Sequence, residues 1–315
     1  MTRDRDQAWP ELPFETWKDT CATLHLWTQV VGKVRLAKTP WVNHSWHVAL
    51  YVTPRGLTTG TIPDGRRSLQ LDLDLVDHQL LVATSDGRLD RVALEPKSVA
   101  TFHGEVMAAL DRLGVEARID ERPNEIPDGI PFSQDHVHAS YDREAIDGFR
   151  RALVSADRVL REFRTSFLGK CSPVHFFWGS FDLAVTRFSG RDAPPHPGGV
   201  PALPDTVARE AYSHEVSSAG WWPGGGMTDY PAFYSYAYPE PEGYRTAPLE
   251  PAAAWFDEGL GEYLLRYDDV RASADPEATL LAFLRSTYAA AANAAGWDRA
   301  ALECAPGRPG VPRPV

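Results

Sequence analysis

The first half of the chain changes from a helical to a strand-like spacing of apolar residues. Apolar side chains recur every three or four positions from Phe14 onwards, which predicts a helix that begins at Pro13 and ends before Pro40. Residues 69–75 then alternate leucine with polar residues, the pattern of a strand with one buried face. Further turns and alternating stretches follow, so the pattern predicts a helix and an antiparallel meander, then a second helix near residues 97–113.

The second half repeats this order. A helix is predicted from Asp142 to Gly169 and a strand from Val174 to Phe188. The last helix is expected to begin at Pro276. Shorter strands are predicted over residues 115–119 and 211–218. Two Pro- and Gly-rich insertions, 191–206 and 220–232, are candidates for functional loops or for plain surface excursions.

The expected class is therefore α+β, with two pseudo-repeated lobes of helix, antiparallel β-meander and helix. The two halves share little residue identity, so the repeat is one of pattern only. We expect the lobes to pack as one unit. The predicted divisions are an N-terminal lobe (1–120), an inter-lobe loop (121–140), a C-terminal lobe (141–304) and a disordered tail (305–315).

Composition and charge exclude several classes of function. The 315 residues carry a formal net charge of −11, and no Lys/Arg cluster is present, which argues against nucleic acid and anionic membranes as partners. Three dispersed cysteines without a CxxC pair, no secretory signal and no long apolar run predict a cytoplasmic protein. The chain also lacks a Walker loop, a dinucleotide-binding GxGxxG, a GxSxG elbow and an HExxH motif, so no nucleotide cofactor is indicated.

Several long strings resemble those of a bacterial family of unknown function. The two hallmark strings are CSPVHFFWGSFDLAVTRFSG at 171–190 and EAYSHEVSSAG at 210–220. The stretches at 27–33 and 43–47 are similar to the opening segment of that family. The resemblance covers nearly the whole chain. It implies family membership but no activity, and it assigns no catalytic residue.

Histidines in the two hallmark strings are the first candidates for chemistry. We hypothesise that His175 and His214 lie on neighbouring strands of one sheet. Side chains two apart on a strand share a face, so two such imidazoles could converge on a single divalent metal or a substrate. Glu215 or Asp182 would be the carboxylate partner. The alternative is that both histidines are hydrogen-bonded core residues. Two other histidine pairs, His44 with His47 and His136 with His138, remain further possible ligands.

Substrate contacts are predicted from the same alternation. His175 is expected to share its face with Arg187, an anchor for an anion, while Trp178 and Asp182 lie opposite. An aromatic wall could stack a planar or sugar ligand, or could equally be a packing face. Its candidate members are Trp46, Trp178, Trp222, Tyr234 and Tyr236.

These observations lead to two functional hypotheses. The first is an enzyme that acts on a small organic substrate, with or without a metal, through His175, His214 and nearby carboxylate, Arg and aromatic groups. The second is a non-catalytic protein that binds a small molecule in an aromatic pocket without a metal. The pattern does not indicate the reaction, the substrate or the oligomeric state.

Overall fold

The N-terminal half consists of a long helix, a small sheet and a second helix. The computed structural model of the protein describes residues 8–313. Helix α1 (Phe14–Lys38) precedes an antiparallel sheet, sheet 1, and α2 (Val99–Arg112) follows it. The strands are β1 (Tyr51–Thr53), β2 (Gly56–Thr58), β3 (Ile62–Asp64), β4 (Arg67–Asp74), β5 (Gln79–Thr84) and β6 (Leu89–Ala93). Their order in the sheet is β1-β2-β4-β5-β6, with β3 paired to β4.

The C-terminal half contains a second antiparallel sheet, sheet 2, with strand order β11-β12-β10-β9-β8-β7. Its strands are β7 (His175–Phe177), β8 (Asp182–Asp192), β9 (His214–Trp222), β10 (Ala232–Tyr238), β11 (Trp255–Asp257) and β12 (Glu262–Arg266). The helices are α3 (Arg143–Arg164), α4 (Asp205–Ala211), α5 (Tyr267–Ala272), α6 (Pro276–Ala294) and α7 (Arg299–Leu302).

The α+β class is confirmed, and two helix starts lie where their caps predict. The Asp142 side chain accepts hydrogen bonds from the first turn of α3, and Asp275 caps α6 in the same way. Residues 115–119 do not form the predicted strand, because they run past the end of α2 without a ladder partner. The strand predicted over 211–218 begins three residues later, at His214, because Ala211 ends the short helix α4.

The ends of the chain and the connection between the halves are irregular. Between α2 and α3, one turn of 3-10 helix (Phe132–Gln134) interrupts an otherwise irregular segment. Residues 305–313, expected to be disordered, contact Thr165 through Gly307 and Arg313. Residues 314–315 of the predicted tail lie outside the described residues. No helix within residues 8–313 is long and apolar enough to cross a membrane.

One apolar core joins the two halves. Trp27 of α1 stacks on Phe102 of α2 at 4.5 Å between ring centroids. In the second half, Phe149 of α3 stacks on Phe181 at 5.6 Å, and it also stacks on Trp221 of β9. These rings belong to one continuous cluster of buried residues. Burial of such rings removes a large apolar area from water, so each half stabilises the other.

The two sheets also meet through backbone hydrogen bonds. Leu50, next to β1, exchanges both of its backbone hydrogen bonds with Phe176 of β7, at 2.8 and 2.7 Å. Both residues are fully buried. This bridge fixes the position of the segment before β1 against the edge strand of sheet 2.

Sheet 2 has two chemically different faces. A four-residue turn joins β7 to β8, so that Phe177 pairs directly with Asp182. His175 therefore shares a face with Asp182, and the prediction that it shares one with Arg187 is wrong, because the turn reverses the alternation. We call the side that carries Asp182 the cavity face. Arg187 lies on the opposite side, the helix face, which packs on α3 and α6.

Candidate functional site

A cavity of about 970 Å³ lies over the cavity face of sheet 2. Helix α1 and the loops 118–125 and 200–204 form its other walls, together with α4. Eight aromatic side chains line it: Trp41, Trp46, Phe177, Trp178, Phe188, Tyr212, Tyr234 and Tyr236. The volume is at the upper end of the range for sites that bind drug-sized ligands.

Asp182 is the first polar group of this cavity. Its carboxylate accepts a hydrogen bond of 2.5 Å from the Ser180 hydroxyl and another from the Tyr234 hydroxyl. The side chain is almost fully buried. Burial raises the pKa of Asp182 to about 6, although the two hydroxyl donors act in the opposite direction by stabilising the charged form.

Glu125, from the loop between the two halves, faces the same cavity. Burial and the charge of Asp182 raise the pKa of Glu125 to about 7. No hydroxyl or amide within residues 8–313 donates a hydrogen bond to its carboxylate. Its carboxylate lies against Gly179, where a side chain would occupy the same space. The two carboxyls thus have different surroundings, with donors at Asp182 and none at Glu125.

A third buried carboxyl, Glu262 of β12, lies beyond the tyrosines of β10. Burial and the charges of Asp182 and Asp257 raise the pKa of Glu262 to about 8. One of its oxygens is buried without a hydrogen-bond partner among residues 8–313. Glu262 does not line the cavity, but its charge acts on the tyrosines that do.

Three tyrosines connect these carboxyls. Tyr234 and Tyr236 project from β10, and the Tyr236 hydroxyl lies 2.9 Å from the hydroxyl of Tyr212, at the end of α4. Tyr234 stacks on Trp222 at 4.2 Å between ring centroids. Gly220 of β9 leaves the space that the Tyr234 hydroxyl occupies, since a Cβ there would collide with it. Burial raises the pKa of Tyr212 to about 12, so these hydroxyls remain protonated donors at neutral pH.

His44 forms another part of the cavity wall, and Lys170 lies next to it outside the lining. The His44 Nδ1 donates to the carbonyl of Ala211, and its Nε2 lies 2.5 Å from the Lys170 ammonium, from which it accepts. Burial lowers the pKa of His44, which keeps the ring neutral. The Lys170 ammonium also lies over the rings of Phe188 and Trp46, at 4.8 and 5.7 Å from their centroids.

Left-handed backbone is concentrated around the cavity. Seven residues other than glycine within 8–313 have a positive φ, and four of them line the cavity. These four are His44, Ser45, Glu125 and Ala202. A side chain in this region costs free energy, so the surrounding structure must hold these residues in place.

Five of the predicted site residues meet at this cavity: Trp46, Trp178, Asp182, Tyr234 and Tyr236. Trp178 donates to the carbonyl of Val48 at 2.9 Å, which fixes its ring between sheet 2 and the segment before β1. Trp222 lies behind Tyr234 and does not line the cavity.

The two histidines predicted to form a metal site do not converge. His175 pairs with Ala184, which pairs with Gly220, and Gly220 lies six residues along β9 from His214. At about 3.3 Å per residue, the histidines are about 20 Å apart along the strands. Within residues 8–313, no three His, Cys, Asp or Glu side chains are grouped to hold a metal ion.

His175 is a core residue. It is fully buried and makes an edge contact with Phe177, with 4.4 Å between ring centroids. Neither ring nitrogen has a hydrogen-bond partner among the described residues. Burial and the charge of Arg35 lower the pKa of His175 to about 3, so the ring is neutral. His214 is half-exposed beside His44, and Ser213 lies within hydrogen-bond distance of its ring.

Arg187 and Glu215 were predicted to serve the site, and both lie on the helix face instead. The Arg187 guanidinium packs over Phe163 at 3.5 Å from the ring centroid, and it donates to the Phe163 carbonyl and the Ser166 hydroxyl. Glu215 forms an ion pair with Arg191 at 2.6 Å. The reversed alternation after the β7–β8 turn accounts for Arg187, and Glu215 lies one position out of phase with His214.

Three site residues carry no sequence pattern that points to the cavity. Glu125 lies in an irregular loop, where alternation gives no direction to a side chain. Tyr212 was expected in a strand, whereas it ends α4. Lys33 of α1 lies outside the predicted apolar stripe, yet it is buried and donates from its ammonium to the Arg122 carbonyl at the cavity wall. Of the other predicted histidine pairs, His44 lines the cavity, whereas His138 lies 2.7 Å from Asp135 and His47 accepts a hydrogen bond from the Val42 amide.

Comparison with known proteins returns one family. The profile of a family of unknown function (DUF5996) matches residues 9–304. No curated protein and no solved structure matches the chain. The geometry of the cavity is therefore the basis on which a function can be argued.

Proposed function

This chain belongs to the DUF5996 family of unknown function, and we propose that it is an enzyme that acts on a small organic substrate by general acid–base chemistry. Asp182 would be the base and Glu125 the acid. The substrate would bind in the cavity over sheet 2, between the aromatic walls.

The observation that carries this proposal is the pairing of Asp182 and Glu125 on one cavity. Two nearby carboxyls in unlike surroundings can hold one proton between them, as acid–base catalysis near neutral pH requires. Asp182 receives two hydroxyl donors that favour its charged form. Glu125 has no hydrogen-bond donor among residues 8–313, and burial and the charge of Asp182 disfavour its anion. The roles of base and acid follow from this difference.

The walls supply the remaining requirements of such a site. Aromatic rings bury the apolar part of a substrate, and exclusion of water strengthens every electrostatic interaction inside. The Tyr234 hydroxyl orients the Asp182 carboxylate, so its loss would change the geometry of proton transfer as well as the pKa of Asp182.

A metabolite extract incubated with the protein and followed by mass spectrometry tests this proposal. We expect the wild type to convert at least one compound. The Asp182→Asn and Glu125→Gln variants should each slow conversion by about 100-fold or more, because each removes a proton carrier. The rate should peak between about pH 6 and pH 7, where Asp182 is charged and Glu125 is protonated.

Glu215→Gln is the matched control, since it removes a carboxyl from the helix face of the same sheet. Its conversion rate should equal that of the wild type. Conversion that survives in both cavity variants would contradict the assigned roles, and the absence of any converted compound would leave no support for an enzyme.

The second candidate function is a binding protein without catalysis. The observation that favours it is the number of aromatic rings around the cavity, which suits stacking of a ligand as well as it suits catalysis. Compounds that co-purify with the protein and are recovered unchanged after incubation would support binding alone.

A further inference from the structure

The carboxyls at the cavity are not paired with a cation from the described part of the chain. Within residues 8–313, no Lys, Arg or His forms an ion pair with Asp182 or Glu125, nor with Glu262 behind the tyrosines of the wall. Elsewhere the chain balances such groups. Asp64, for example, binds both Lys38 at 2.9 Å and Arg67 at 2.8 Å, and its pKa is lowered. Buried charges without partners are costly, so the cavity retains a local excess of negative charge that a ligand can neutralise.

Rings elsewhere on the cavity wall already accept an ammonium group. The Lys170 ammonium lies over Phe188 and Trp46, both of which also line the cavity. The faces of Trp and Tyr rings attract cations through the negative charge of their π-systems. Trp178, Tyr234 and Tyr236 line the same space. An organic cation would therefore meet aromatic side chains along the walls and the Asp182 carboxylate at the start of β8.

Three cations also line the cavity, but they do not serve the carboxyls. The Lys33 ammonium donates to the Arg122 carbonyl, and the nearby charge acting on it is that of Asp120. Arg118 and Arg122 are exposed at the rim, where water and salt screen their charges. The residues that the structure describes thus leave the negative part of the cavity without a balancing cation.

We infer that the cavity takes a protonated organic amine with an apolar or aromatic body, its ammonium group at Asp182 and Glu125 and its body between the rings. This inference rests on the proposed function, because it names the class of substrate for the same site. It requires no covalent step, and it concerns binding alone.

Calorimetric titration with three matched probes tests it: 4-phenylbutylamine, 4-phenylbutan-1-ol and 4-phenylbutanoate. At about pH 8, where both carboxyls are charged, we expect the amine to bind at least about tenfold more tightly than the alcohol, and the carboxylate most weakly. The affinity for the amine should fall as the pH is lowered through about 7 and 6 and the carboxyls become protonated, while the affinity for the alcohol should stay constant.

Substitutions of the two carboxyls test whether they cause the preference for the amine over the alcohol. Asp182→Asn and Glu125→Gln should each reduce the affinity for the amine far more than the affinity for the alcohol, and retained binding of the alcohol would show that the cavity is intact. Glu215→Gln should change neither affinity. Equal affinities for amine and alcohol, tightest binding of the carboxylate, or no binding of any probe would overturn the inference. Because these titrations measure no turnover, their failure is distinct from a failure of the acid–base proposal, which is judged by conversion.

Discussion

Asp182 and Glu125 show how far single residues can be predicted from the sequence. Asp182 was a candidate carboxylate from the sequence, but the prediction that it lies opposite His175 is wrong, because the turn between β7 and β8 brings both residues to the same face. Glu125 is set by a left-handed backbone (φ 60°) in an irregular loop, and no periodic pattern reports that. Its role depends on the packing of this loop against Gly179, a contact between distant parts of the chain.

The buried imidazole of His175 is expected to contribute nothing to stability through its nitrogens. We expect His175→Leu to unfold at a temperature equal to or higher than that of the wild type. The substitution replaces a neutral buried ring, whose nitrogens have no partner among the described residues, with an apolar side chain of similar volume. Thermal unfolding followed by circular dichroism measures this change.

His175→Ala is the companion variant. It leaves a cavity in the core and should lower the free energy of unfolding by roughly 2–4 kcal/mol. If the leucine variant instead lost as much stability as the alanine variant, the imidazole would have a polar role that its surroundings do not show.

Among the helices and strands, β8 determines which side chains face the cavity. Its residues alternate between the cavity face and the helix face, and the four-residue turn before it decides which residue points where. The sequence shows that β7 and β8 are extended, but it does not show that Trp178 to Phe181 leave the strand. Continuing the alternation through this turn placed Arg187 beside His175, which is wrong. A turn of even length within an apolar run is the kind of detail that only the fold supplies.

Gly220 of β9 is expected to be required both for stability and for the hydrogen bond from Tyr234 to Asp182. Gly220→Ala should destabilise the fold by about 1–3 kcal/mol, because its Cβ would collide with the Leu183 carbonyl and the Tyr234 hydroxyl. Loss of the hydrogen bond from Tyr234 should also raise the pKa of Asp182 further. Urea unfolding and carbon-13 titration of the Asp182 carboxyl measure the two effects.

Gly104→Ala is the control for this substitution. Gly104 lies on the exposed side of α2 with open space around it, so alanine should stabilise the helix by roughly 0.5–1 kcal/mol. An unchanged pKa of Asp182 in Gly220→Ala would show that Tyr234 does not orient that carboxyl.

For the whole molecule, the three buried carboxyls predict an unusual dependence of stability on pH. Their folded-state pKa values, about 6, 7 and 8, lie above the values of the unfolded chain, so the folded state binds more protons. The free energy of unfolding must then fall as the pH rises from about 4, the pKa of such carboxyls in the unfolded chain. The contribution of Asp182 is lost by about pH 6, that of Glu125 by about pH 7 and that of Glu262 by about pH 8. Urea unfolding at a series of pH values measures the decline.

The range from about pH 6.5 to pH 8 separates the contribution of the carboxyls to stability from that of the histidines. The histidines with lowered pKa values reduce the stability of the protein only as the pH falls below about 6.5, so they do not contribute to a decline in this range. The Glu125→Gln and Glu262→Gln double variant should show little decline in this window. A decline equal to that of the wild type would assign it to other groups.

At this scale the class and the long helices follow from periodicity and capping, whereas the arrangement of the sheets does not. Local pattern predicts that α1, α3 and α6 form, because each has a continuous apolar stripe. It does not predict that Leu50 bridges to Phe176, or that α4 covers the cavity, since both depend on contacts between segments far apart in the chain. The duplication of the two lobes remains a prediction.

The left-handed residues around the cavity have a consequence for directed evolution of this protein. A library that randomises His44, Ser45, Glu125 or Ala202 would lose many members to misfolding, because β-branched and bulky residues are strained in that backbone. Thr186, Val216 and Ser218 line the same cavity from regular ladder positions of β8 and β9. Diversity introduced at these strand positions should reshape specificity while the scaffold keeps its fold.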